Sequence, residues 1–213
     1  MSTESTTEFP RDEVEQAFRH YFLTGPVHED WIAWSQLFTD DATYHDHFWG
    51  TFHGPAEIQQ FLEGTMSFAA HVYSPLVWYV LNGSRIVYKV VNRADDPRGS
   101  GAPIDFPSLQ VIEYAGGGKW RSEDDWWTVA EMKLFNQRYQ AARKEAGAAA
   151  IDPLSRKDWG PWHDWARPEP GETAAPSWLG RKDVARVASM RDMTFGVRDP
   201  QPAQRSHGGE NRG

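Results

Sequence analysis

The chain has 213 residues, a net charge of -8 and a mean hydropathy of -0.67. The acidic balance excludes a basic nucleic-acid surface, and no apolar run nears the ~20 residues of a membrane helix. The absence of cysteine excludes disulfides, thiolate nucleophiles and cysteine-held metals.

One domain plus an appendage is expected at this length. Eleven Trp, 7 Tyr and 11 Phe point to a very aromatic core or a pocket for a flat, apolar ligand. Residues 1–10 are polar, read as disordered, and lack the apolar stretch of a secretion signal. A cytoplasmic location is therefore expected.

Asp12 is expected to cap a first helix whose Val14, Ala17, Phe18, Tyr21 and Phe22 share one face. Gly25-Pro26 is expected to stop it. A shorter helix carries Trp31, Ile32, Trp34, Leu37 and Phe38. Asp40-Asp41 then turns into a strand over 42–53, and Gly54-Pro55 opens a third helix. Four strands follow, at 70–81, 84–93, 106–115 and 119–130. Asn82-Gly83 and the Gly-rich run 115–118 mark the hairpin turns. This order is α+β, with helices on one face of a curved sheet.

Residues 131–149 have helical composition. Half of the 14 prolines lie beyond 151, together with Trp159, Trp162, Trp165 and Trp178. That segment is too aromatic for a plain linker and reads as an arm that packs on something. A short helix is expected at 181–192. The division is a domain at 11–132, a helix at 133–150, an arm at 151–198 and a disordered end at 199–213.

The helix–helix–strand–helix–meander order and the stretch DDATYHDHFWGTFHGPAEI resemble the nuclear transport factor 2-like superfamily. Within it the likeness is to SnoaL-like polyketide cyclases, ketosteroid isomerases and scytalone dehydratases, over about residues 10–132. The resemblance implies a cone-shaped α+β barrel, with three N-terminal helices packed on a curved, mostly antiparallel sheet. The C-terminal extension has no counterpart in that fold. It also implies a cofactor-independent acid–base enzyme forming an enolate on a bulky apolar, polycyclic or polyketide-like substrate. Because the superfamily includes non-catalytic binding or assembly modules and epoxide hydrolases, those readings stay open.

Asp46 falls where ketosteroid isomerases carry a base. Strand alternation places Tyr44, Asp46 and Phe48 on one face and His45, His47 and Trp49 on the other. Asp125 matches the acid of the cyclases, and shares its face with Glu123 and Trp127. Two carboxylates facing one pocket repel, so one keeps its proton. Tyr21 stands at nearly the spacing of the isomerases' oxyanion tyrosine, with Gln110 at the position of their partner acid. His71 matches a dehydratase histidine, and Tyr44 is a further donor. Trp34, Phe48, Trp78, Tyr88, Gln110, Glu123 and Trp127 are expected to line the substrate site.

His45 and His47 share a face, but no third ligand is fixed by spacing, so no metal site is assigned. Arg85 or Arg93 is the candidate cation of an epoxide hydrolase's Asp–Arg–Asp set. The outward row His45, His47, Trp49 and Trp126 is expected to be covered by a second copy, making a homodimer or higher oligomer, or by the arm. The expected ligand is a small apolar molecule, with neither nucleic acid nor membrane as partner.

Overall fold

The computed structural model describes residues 9–99, 102–147, 152 and 154–184. Most of the short helix expected at 181–192, the end at 199–213 and residues 1–8 lie outside that set. Phe9 does not belong to a disordered end: its ring packs edge-on against Tyr114 at 5.0 Å.

Helix α1 (Arg11–Phe22) begins after Pro10, with no side-chain cap, and Asp12 sits in its first turn. Gly25-Pro26 does not stop the chain's coiling. The helix widens into a π-helical turn over Leu23–Val27. Trp34 is the reason for glycine there, because a Cβ on Gly25 would stand 2.4 Å from its ring. Asp30 caps α2 (Trp31–Ser35), its Oδ1 accepting from the Ala33 amide at 3.0 Å.

The strand expected over 42–53 is two strands. β1 (Phe38–Asp46) and β2 (Gly50–His53) form an antiparallel hairpin closed at 47–49. Asp46 makes the break. Its Oδ1 accepts from the amides of Phe48 and Trp49 at 2.8 and 2.7 Å, an alternative to the ladder that turns the backbone. The alternation predicted through 48 and 49 therefore fails. Phe48 is exposed on the turn, and Trp49 packs against the main core cluster instead of joining an outward row.

Helix α3 (Gly54–Phe68) starts at Gly54-Pro55, and Glu57 Oε2 accepts from the His53 amide. Strands β3 (Leu76–Asn82), β4 (Arg85–Ala94), β5 (Ile104–Gly116) and β6 (Lys119–Trp127) form the meander. Helix α4 (Val129–Ala146) is capped by Thr128, which exchanges bonds with Glu131.

The sheet order is β2-β1-β6-β5-β4-β3, and only the β1–β6 pair is parallel. The main core joins α1, α2 and α3 to the inner sheet face. A second cluster packs Met132, Phe135 and Tyr139 of α4 on Ile104 and Phe106. On the outer face Trp78, Leu109 and Trp126 stay exposed. The described part of the arm packs elsewhere, with Trp165 against Phe18 and Phe22 of α1 and Tyr79 of β3. Among the described residues no helix is long and apolar enough to cross a membrane.

Gly25→Ala drives a methyl into the Trp34 ring. We expect a loss of roughly 1–3 kcal/mol by denaturant titration. An unchanged midpoint would show that the ring moves aside without cost.

Candidate active site

Between α1, α2, α3 and the inner sheet face lies a cavity of about 110 Å³. Its walls include Tyr21, Trp31, Trp34, Tyr44, Tyr73, Tyr88, Gln110, Glu123 and Asp125. Of the expected substrate-site residues, Trp34, Tyr88, Gln110 and Glu123 line it. Phe48, Trp78 and Trp127 do not: Phe48 sits on the β1–β2 turn, and Trp78 points outward from β3. Trp127 turns its indole toward Asp46.

Glu123 and Asp125 are two apart on β6, so the pleat turns both to the same side. Glu123 is fully enclosed. Tyr21 donates to its Oε2 in a short bond, Tyr88 donates to Oε1 at 3.2 Å, and the two phenol oxygens lie 3.0 Å apart. Burial pushes its carboxyl up to about 8, with the Asp125 charge adding to the rise against the phenols' bonds. Burial, followed by the Glu123 charge, also holds Tyr21, Tyr44 and Tyr88 well above the ordinary phenol range. They stay protonated and remain donors.

Asp125 is raised to about 7, by burial and then by the Asp46 charge on the neighbouring strand. Its Oδ1 accepts from Ser108 at 2.6 Å and Gln110 at 3.0 Å, which fixes the carboxyl plane. Its Oδ2 accepts only a long bond, 3.4 Å, from Tyr44 among the described residues. One oxygen is therefore committed to structure and the other faces work. Gln110 spends its amide hydrogens on Ser108 and Asp125, and its Oε1 is buried without a partner among the described residues.

Asp46 is paired in register with Asp125 but does not line the cavity. Both its oxygens are occupied: the turn amides hold Oδ1, and the Trp127 indole donates to Oδ2 at 3.1 Å. Burial raises its carboxyl, and these bonds work against the rise. The geometry thus makes Asp46 a turn-holding residue whose charge bears on Asp125.

His71 is also displaced from its expected place. It lies stacked on Tyr139 of α4 at 4.1 Å, near Phe135, and outside the cavity wall. Burial lowers it to about 4, so it is neutral near pH 7. Arg85 pairs with Glu113, and Arg93 with Asp105 and Asp158. Neither lines the cavity, so the one Asp–Arg–Asp grouping they make, Arg93 between Asp105 and Asp158, lies outside it. No group of three His, Cys, Asp or Glu suited to a metal occurs among those residues.

Sequence reasoning missed Ser108, Tyr73, Ser74 and Asn92. Ser108 shares the inward phase of β5 with Gln110, which was the available signal. Tyr73 and Ser74 precede β3, where alternation gives no guide.

Residues 14–123 match the model of the SnoaL-like domain. The chain belongs to that family. No curated protein matches it. Among solved structures it is similar to an LEH-like epoxide hydrolase from Mycobacterium tuberculosis. That match has 16% identity and a TM-score of 0.50, covering 64% of this chain and 98% of the other. It is also similar to a Shewanella putrefaciens protein assigned as a SnoaL-like polyketide cyclase, at 16% identity and TM-score 0.49, covering 62% and 90%. A ketosteroid isomerase-like fold from Catenulispora acidiphila matches at 20% identity and TM-score 0.43, covering 56% and 88%. At 16% identity the first of these likenesses shows the fold alone.

The carboxylate pair leaves a mark on stability. Glu123 and Asp125 hold protons that the unfolded chain releases in the ordinary carboxylate range near 4. Their contribution is fully present below that range and is lost as pH rises through about 7 and 8. His71 has the opposite sign: its contribution is lost as pH falls from 6.5 toward about 4. Above pH 6.5 only the carboxylates act, and unfolding free energy should fall by roughly 1–3 kcal/mol up to pH 8. Glu123→Gln should flatten that decline in a thermal-melt series. A midpoint that climbs over the same range would refute the raised values.

Proposed function

We propose that this SnoaL-like protein is a cofactor-independent acid–base enzyme that forms an enolate, with Asp125 as its base. The observation carrying this is the asymmetry of Asp125. Asp125 lines the cavity, and while its Oδ1 is anchored by Ser108 and Gln110, its Oδ2 takes one long bond among the described residues. A carboxyl near 7 is about half ionised at neutral pH and still basic enough to take a proton from carbon.

A proton leaves the carbon beside a substrate carbonyl and goes to Asp125 Oδ2. The C–H electron pair becomes the enolate double bond, and the carbonyl oxygen takes the negative charge. Tyr21, Tyr88 and protonated Glu123 supply the hydrogen bonds. Protonated Glu123 can turn its O–H to donate a hydrogen bond to one phenol oxygen, keeping its proton, which frees that phenol's hydrogen for the substrate oxygen. Gln110 holds the base in place, and its unpartnered Oε1 can accept from a ligand hydroxyl. Isomerisation, dehydration and cyclisation all proceed from such an enolate.

Asp46 acts in this scheme through its charge alone. In a screen with enolisable cyclic ketones, Asp125→Asn should lower kcat roughly a hundredfold to ten-thousandfold. Asp46→Asn should keep turnover within about tenfold of wild type and lose thermal stability, because with the remaining oxygen on the turn amides the NH2 nitrogen that replaces Oδ2 cannot accept from the Trp127 indole. Equal loss in both variants, each still folded, would return the base to Asp46. Ligand binding with no turnover in any form would make the protein a binding module.

A further inference from the structure

The arm beyond the family-matched residues does not line the cavity, yet it grips two residues that do. On one side, Ser177 Oγ accepts from the Trp31 amide at 3.2 Å and donates to Glu63 Oε1 at 3.1 Å, and Arg181 pairs with the same carboxylate. The Ser177 amide donates to the Glu29 carbonyl at 2.9 Å. On the other side, Trp159 packs on Tyr73 at 5.2 Å and the Arg156 guanidinium lies over the same ring at 5.5 Å. The Tyr73 hydroxyl donates to Asp95 at 2.7 Å and accepts from the Asp158 amide at 3.1 Å. Arg156 is in turn locked to buried Glu29 at 2.8 Å and to the Ala70 carbonyl. Trp31 and Tyr73 are thus clamped from behind by one continuous segment.

The size of the site shows what the clamp does. The cavity measures only about 110 Å³. Pockets for drug-sized ligands run to about 300–1,000 Å³. The Trp31 backbone cannot shift without losing its bond to Ser177, and the Tyr73 ring cannot retreat without losing its packing on Trp159 and its hydroxyl's bonds to Asp95 and Asp158.

We propose that residues 154–184 are the specificity-determining brace behind the site: they hold the Trp31 backbone and the Tyr73 side chain in place and limit the ligand to a single-ring carbonyl compound or its enol. The expected bulky, polycyclic ligand is thereby replaced by a small one. This rests on the enolate reading of the same cavity, because the probes below bind as enolate mimics.

The test uses the full chain and two phenols, phenol and beta-naphthol, titrated calorimetrically at neutral pH. In an unrestricted apolar pocket the larger ring system binds tighter. Here overpacking against fixed walls should make phenol bind at least about tenfold tighter. The double variant Ser177→Ala/Arg181→Ala, and separately Trp159→Ala, should erase or reverse that preference while circular dichroism shows a folded protein. Tighter binding of beta-naphthol to the wild type overturns the inference, and so does an unchanged preference in a folded arm variant; both leave the enolate site standing. Failure of both phenols to bind any form removes the enolate site itself.

Discussion

The burial of two carboxylates side by side on β6 is the constraint around which this molecule is arranged. A carboxylate taken out of water is costly unless it is hydrogen-bonded or keeps its proton. Two of them on one face add their mutual repulsion. The fold answers with three buried phenols, one serine and one glutamine, drawn from α1, β1, β4 and β5 and all aimed at Glu123 or Asp125. These bonds orient the carboxyls without making either strongly acidic. A site that stores a proton near neutral pH follows from that balance.

The parallel β1–β6 pair gives the arrangement its position. It sets Asp46 opposite Asp125 and His47 beside the Asp125 carbonyl, whose oxygen accepts from the His47 amide at 3.1 Å. Asp46 ends β1 and turns the chain into β2. The same residue that shapes the sheet margin also raises the neighbouring carboxyl. Structure and electrostatics are thus shared by one side chain, whereas the chemistry falls to its partner.

Much of this was legible in the sequence. The element order, the Gly54-Pro55 start of α3 and the Asn82-Gly83 turn follow local rules that the structure obeys. Glu123 and Asp125 sharing a face follows from the pleat. Alternation says which residues share a face but not where a strand ends, so Asp46 was carried into the pocket when its side chain was bonding its own turn. His71 was misplaced because its environment is made by α4, whose docking no local pattern encodes. The arm was least legible. Its grip depends on Glu29 meeting Arg156 and Glu63 meeting Arg181, pairs more than a hundred residues apart in sequence, and a lone charge in a loop gives no sign of such a partner.

The most direct measurement is a side-chain carboxyl carbon-13 NMR titration of the full chain, with Asp46→Asn, Asp125→Asn and Glu123→Gln providing the assignments. The account predicts that the Glu123 and Asp125 signals titrate close to neutrality, and that removing either shifts the other downward. Both carboxyls titrating in the ordinary range near 4, each unmoved by loss of the other, would contradict it.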